Sequence, residues 1–258
     1  MFNVKKKIVT FVMGFTMVLG LIPTINVQAA TITSSTQTTL SKQTMTAIAN
    51  LDKTKKTIVI DPGHNYGGDL GAAATIEGVT YKEVDLNIQV ASKLKVELEK
   101  RGYNVVMTRY DGEKPMGDVN QDLKDRVTIA NNAKADFFIS LHHNSVLNLP
   151  DVKGIETYYS SEEQSEDFKG GAVSNKLEIS KKMATIINDS IAKNLNLNNR
   201  GAKDASLFIR STNMPSIIVE CGFITNQEDA KRCADSLSQQ KLAVAIADAI
   251  KINIKSTK

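Results

Sequence analysis

The sequence predicts an α/β fold, a single domain with a mostly parallel twisted sheet and helices on both faces. Short apolar runs such as TIVID (57–61) and DFFISL (136–141) lack polar alternation, as strands buried on both sides require. Longer amphipathic stretches separate these runs and carry apolar residues at helical spacing. The two kinds of segment alternate along the chain, which is the order that builds strand–helix–strand crossovers.

Taken in order, TIVID is the first strand. Residues 81–102 form a helix with Val84, Ile88, Ala91, Leu94 and Leu98 on one face, closed by Gly102. YNVVMTR (103–109) is a strand, 123–134 a helix and DFFISL a second buried strand. GIETYYS (154–160) is a strand, and 174–195 a helix with Leu177, Met183, Ile187 and Ile191 inward. SLFIR (206–210) and SIIVE (216–220) are strands, and 235–254 is the closing helix.

The ends read differently from this core. Residues 1–29 combine Lys5, Lys6 and Lys7, an apolar run from Ile8 to Ile22, and small residues Val27 and Ala29 at a cleavage-site position, the pattern of a signal peptide. An uncleaved membrane anchor is the rival reading of the same run. Removing the three lysines takes the formal charge from +4 to +1, so the basicity belongs to this segment. No basic block with interleaved aromatics remains, which argues against a nucleic-acid partner. Residues 30–55 are rich in Ser, Thr and Lys and read as a linker with at most one weak helix; the folded domain is expected from residue 56 to 258. Cys221 and Cys233 are too few for a disulfide framework, and a single bridge or two free thiols both remain open.

In parallel sheets, ligands gather at the carboxyl ends of strands. All three histidines and one acid fall there: His64 just past the first strand, His142 and His143 at the end of DFFISL, and Glu220 at the end of SIIVE. Each also has a plain structural explanation. His64 follows Pro62 and Gly63 and suits a tight turn. Period-two alternation puts only one of His142 and His143 on the face of Ser140, and parity alone does not say which one serves a site. TYKE (80–83) reads as a capping box in which Glu83 returns to the amide of Thr80. Glu220 follows Ile217, Ile218 and Val219, where an unpaired carboxylate is costly. Two histidines and a carboxylate with an open fourth position make a common catalytic zinc set, and a second carboxylate could move the proton. A local HExxH motif is absent, so any such set is assembled by the fold.

IVIDPGH, KEVDLN, DRVTIANNAKADFFISLHHN, KGIETYY, NRGAK and MPSIIVECGFITN occur together in an order that resembles the zinc-dependent N-acetylmuramoyl-L-alanine amidases of the amidase_3 type, from about residue 57 to the last helix. The resemblance implies that His64, Glu83 and His142 hold one zinc ion per chain and that Glu220 is the general acid/base. It further implies peptidoglycan as substrate, cut at the amide joining N-acetylmuramic acid to L-alanine. Such an enzyme is expected outside the cytoplasm and at the cell wall, on the membrane only if the first segment stays uncleaved, and assisted by an activating or targeting protein partner. Asn144, Arg200 and Arg210 are candidate substrate contacts, and Lys203 belongs to the same basic group. The turn after His64, HNYGGDLGA, is one residue longer than the family pattern, which puts Asn65 and Tyr66 at the mouth of the site. His143 stands where a small residue is usual and is read as an inert neighbour rather than a contact. Two rival functions keep the same residues in view. One is another zinc amide-bond hydrolase such as a wall-peptide carboxypeptidase. The other is a non-catalytic wall-binding or regulatory protein.

Overall fold

The computed structural model describes residues 41–114 and 118–255; the expected signal segment and residues 30–40 of the expected linker lie outside them. The main sheet has six strands. These are β1 (Thr57–Pro62), β4 (Asn104–Met107), β5 (Phe137–Asn144), β6 (Ile155–Tyr159), β7 (Asn199–Asp204) and β8 (Ser216–Phe223), in spatial order β4-β1-β5-β8-β6-β7. The first four in that order run parallel, whereas β6 pairs antiparallel with β8 and parallel with β7. The sheet is therefore mostly parallel, as the sequence predicts.

Alternation along the strands feeds two cores. Ile58, Ile60, Phe137, Ile139, Leu141, Ile217 and Val219 face one way, against α2 (Glu83–Lys100), α4 (Lys176–Leu195) and α6 (Ser236–Asn253). Val59, Val106, Phe138 and Ile218 face the other way, against α3 (Val119–Asn132) and α1 (Lys42–Ala49). Helices thus cover both faces, and full burial of β1 explains its uninterrupted apolar run.

Several elements differ from expectation. α1 lies inside the expected linker, yet Ser41 caps it and the buried hydroxyl of Thr44 donates to the Met107 carbonyl at 3.0 Å, so the packed unit begins ahead of residue 56. A two-stranded hairpin, β2 (Ala73–Ile76) and β3 (Val79–Lys82), precedes α2. Its turn residues Glu77 and Gly78 both have positive φ, 51° and 80°, as a two-residue hairpin loop demands. SLFIR is not a strand: Phe208–Ser211 is a 3-10 turn that buries Ile209 in the second core and sets Phe208 edge-on to Phe138. The strand in that region is instead NRGAKD, a half-exposed edge whose polar composition hides it. A short helix, α5 (Gln227–Ala234), capped by Asn226, precedes α6.

Candidate metal centre

The sheet aligns the chemistry by parity. Asp61 follows the direction of Val59, Ser140 and His142 that of Phe138, and Glu220 that of Ile218, so these side chains share one face. Register then sets them side by side: Asp61 opposite Ser140, His142 opposite Glu220, and Glu220 opposite Glu156. His143 points to the other face, where its Nδ1 meets Asn87 Oδ1 of α2 at 2.7 Å. Burial pulls the His143 imidazole down to about 3, leaving it neutral and walled off from any ligand, consistent with the inert role expected for it.

The turn after β1 is held by buried cations. Arg109 donates to the carbonyls of Pro62 and Gly63 at 2.9 Å each, and Arg126 donates to those of Pro62 at 3.0 Å and His64 at 2.8 Å. Arg126 also binds Asp61 at 2.6 Å, and Asp61 accepts in addition from Thr108 and Ser140. Burial favours the neutral form of Asp61, but Arg126 and these hydroxyls outweigh it and hold its pKa below the usual carboxylate range. This network fixes His64 in the left-handed region, φ 62°, an uncommon conformation for a residue other than glycine. The longer loop joins the same network. Asn65 reaches Asp122 of α3, and Arg109 lies 5.5 Å from the Tyr66 ring centre.

Glu83 opens α2, but it makes no capping box. Thr80 belongs to β3, the cap residue is Lys82, and no side chain caps the helix. The Glu83 carboxylate turns instead to the histidines: Oε1 lies 3.1 Å from His64 Nε2 and 2.9 Å from His142 Nδ1, while the amides of His143 and Ala72 donate to its two oxygens. Burial favours neutral Glu83, yet the bonds from His142 and His64 hold its pKa well below the usual range. For His64, burial acts downward, and the contacts with Asp69 and Glu83 overcome it and push the imidazole up to about 10. Asp69 sits 2.9 Å from His64 Nδ1, an ion-pair contact not aligned as a hydrogen bond.

Whether these residues suit a metal ion follows from the donor set. One atom from each of His64, Glu83 and His142 lies within 4.8 Å of the others, and two imidazoles with one carboxylate match a zinc site with an open position. The surroundings leave no slack. A Cβ on Gly63 would fall 2.2 Å from His142 Nε2, and one on Gly71 2.5 Å from His64 Cδ2. The residues fit the group.

Beside the triad, Glu220 Oε2 is buried without a hydrogen-bond partner. Burial, then the charges of Glu83 and Glu156, push its pKa well above the usual carboxylate value, which suits a group that takes up and gives back a proton. The other expected contacts divide. Asn144 gives one amide N–H to Glu156, and its carbonyl oxygen accepts from the Ser145 amide. Arg200 lies next to Glu156 and stays partly exposed. Arg210 sits in the 3-10 turn that leads into the amino end of β8, paired with Glu162, whereas Glu220 is near the carboxyl end; it is not part of this site. Glu156, Asp69 and Arg126 were missed, although a lone acid in the apolar run GIETYY is the same kind of signal that singled out Glu220. Cys221 and Cys233 are both buried free thiols. Among the described residues no helix is long and apolar enough to cross a membrane.

A histidine–glutamate–histidine set at the strand ends of an α/β sheet, with a carboxyl of raised pKa beside it, has the make-up of a metal-dependent hydrolase domain. The family model for N-acetylmuramoyl-L-alanine amidase, Amidase_3, matches residues 58–252, and the chain belongs to that family. The amidase LytC of Bacillus subtilis (strain 168) is 34% identical over 194 residues, which are 75% of this chain and 34% of LytC; the chain spans about a third of that relative's length. An N-acetylmuramoyl-L-alanine amidase from Clostridium difficile 630 superposes with a TM-score of 0.64 at 31% identity, covering 78% of this chain and 98% of that one. The CwlD amidase of Clostridioides difficile, solved in complex with the GerS lipoprotein, gives 0.65 at 27% identity over 77% of this chain and 98% of that one.

Proposed function

We propose that this chain is a zinc-dependent N-acetylmuramoyl-L-alanine amidase that hydrolyses the amide between N-acetylmuramic acid and L-alanine in peptidoglycan. The observation that carries the reading is the meeting of His64, Glu83 and His142 from three separate elements, one strand away from Glu220, whose Oε2 is buried without a partner and whose pKa is raised. His64, Glu83 and His142 would hold the ion. Zinc, when bound, supplies Lewis acidity that polarises an oxygen in the site and makes water nucleophilic at neutral pH.

The remaining work falls to the chain's own groups. Asp61, Arg109 and Arg126 aim His64, and Asp69 stabilises its ring from behind. Glu220 takes the proton that the attacking water gives up and passes it to the departing amine, a relay its raised pKa favours, so it ends the cycle as it began. Membership of the amidase family favours this reading over a wall-peptide carboxypeptidase or a non-catalytic wall-binding protein.

The same reading includes export by residues 1–29 and action at the cell wall. A protein partner is part of it as well, supported by the solved complex of CwlD with GerS. Metal analysis of the purified protein tests the cofactor: one zinc per chain, and loss and recovery of wall hydrolysis on chelation and zinc addition, are expected. Full activity in protein stripped of metal would refute it.

A further inference from the structure

β6 carries a carboxylate for which the metal centre has no use. Glu156 stands opposite Glu220 in register, is 2% exposed, and lies two strand spacings, about 10 Å, from His142 along the same row. Its Oε1 accepts from Asn144 Nδ2 at 2.8 Å and the Tyr158 hydroxyl at 2.6 Å, and its Oε2 accepts from Arg200 Nε at 2.8 Å and from the Lys203 ammonium. Those donors fill the acceptor capacity of one carboxylate. Two cations against one anion leave the cluster with a positive charge in excess.

The excess is presented outward. Arg200 hydrogen-bonds through Nε alone, which leaves its two terminal nitrogens without a protein acceptor among the described residues. Its guanidinium lies 4.9 Å from the Phe223 ring centre, and the Lys203 ammonium 5.8 Å from that of Tyr158, so both heads are fixed from behind. The side chains remain 31% and 37% exposed. A guanidinium with its terminal nitrogens free matches a carboxylate in fork geometry. The single excess charge suits a monoanion.

We propose that Arg200 and Lys203, braced by Glu156, form a subsite for a free carboxylate on the first three residues of the substrate's peptide arm. The inference rests on the amidase reading and names what that site selects. An extended peptide leaving the metal centre covers the separation in about three residues.

Two synthetic muramoyl tripeptides test it, identical except that all carboxylates are free in one and converted to carboxamides in the other. The full enzyme is expected to prefer the free acid in kcat/KM on the order of ten- to a hundredfold, mainly through KM. Arg200→Gln and Lys203→Gln should each shrink that ratio toward one, and Glu156→Gln should do so by releasing both cations. A ratio near one in the unaltered enzyme, or an undiminished ratio in Arg200→Gln and Lys203→Gln, overturns the subsite while leaving the amidase reading in place. Failure to cut either compound, with zinc bound, overturns both.

Discussion

Glu83 and His142, 59 positions apart in sequence, meet with Oε1 2.9 Å from Nδ1, and that contact joins the start of α2 to the end of β5. Glu83→Gln keeps the shape and removes the charge. Zinc affinity should fall by more than about 100-fold, since losing an outer partner of a ligand alone costs about 10- to 100-fold. Competition with a chromogenic chelator measures it, and circular dichroism checks that the fold is kept.

Asp69 supports His64 from the ring nitrogen remote from Glu83. Asp69→Asn should weaken zinc binding by about tenfold, the lower end for an outer-shell carboxylate because the contact is not aligned as a hydrogen bond. The same chelator titration reads the shift, and an unchanged affinity would remove Asp69 from the site.

Arg126 is 4% exposed and binds Asp61, Asp122 and two carbonyls of the histidine turn. Arg126→Met leaves Asp61 as an uncompensated buried charge, a change that costs about 3–5 kcal/mol. Urea denaturation should show this loss, with the midpoint lowered and the slope kept.

His143 gives the protein an acid limit. Its folded pKa of about 3 lies below the ordinary imidazole value of 6.5, so between those values the unfolded chain takes up a proton that the native state refuses. Stability therefore falls as pH falls through this window, by at most about 1.4 kcal/mol per pH unit from this group. His143→Gln should flatten that part of the stability–pH curve relative to the unaltered protein, measured by denaturant unfolding at pH 4, 5 and 6.5. An identical slope in both proteins would contradict it.

Much of this site was legible because its residues break local rules. A histidine after Pro-Gly at the end of a buried strand, and a glutamate after Ile217, Ile218 and Val219, are both expensive placements that a solvent-facing helix would not reveal. Glu83 was hidden for the opposite reason: TYKE satisfies a local rule, and only the β2–β3 hairpin, which takes Thr80 into a strand, frees its carboxylate. The hairpin itself escaped notice because its strands are short and half-exposed, and β7 because an edge strand tolerates Asn, Arg, Gly and Lys. Arg210 shows the limit of reading charge by sequence order. It lies between two strands that reach the site, yet it belongs to the turn at the far end of β8.

Mass spectrometry of purified peptidoglycan digested by residues 30–258, with Glu220→Gln run alongside, puts the central claim to its most direct test. The unaltered domain should release stem peptides with a free L-alanine amino terminus from intact glycan, and Glu220→Gln should keep its zinc and lose at least about 100-fold in rate. Release of terminal amino acids instead, or equal cleavage by Glu220→Gln, would contradict it.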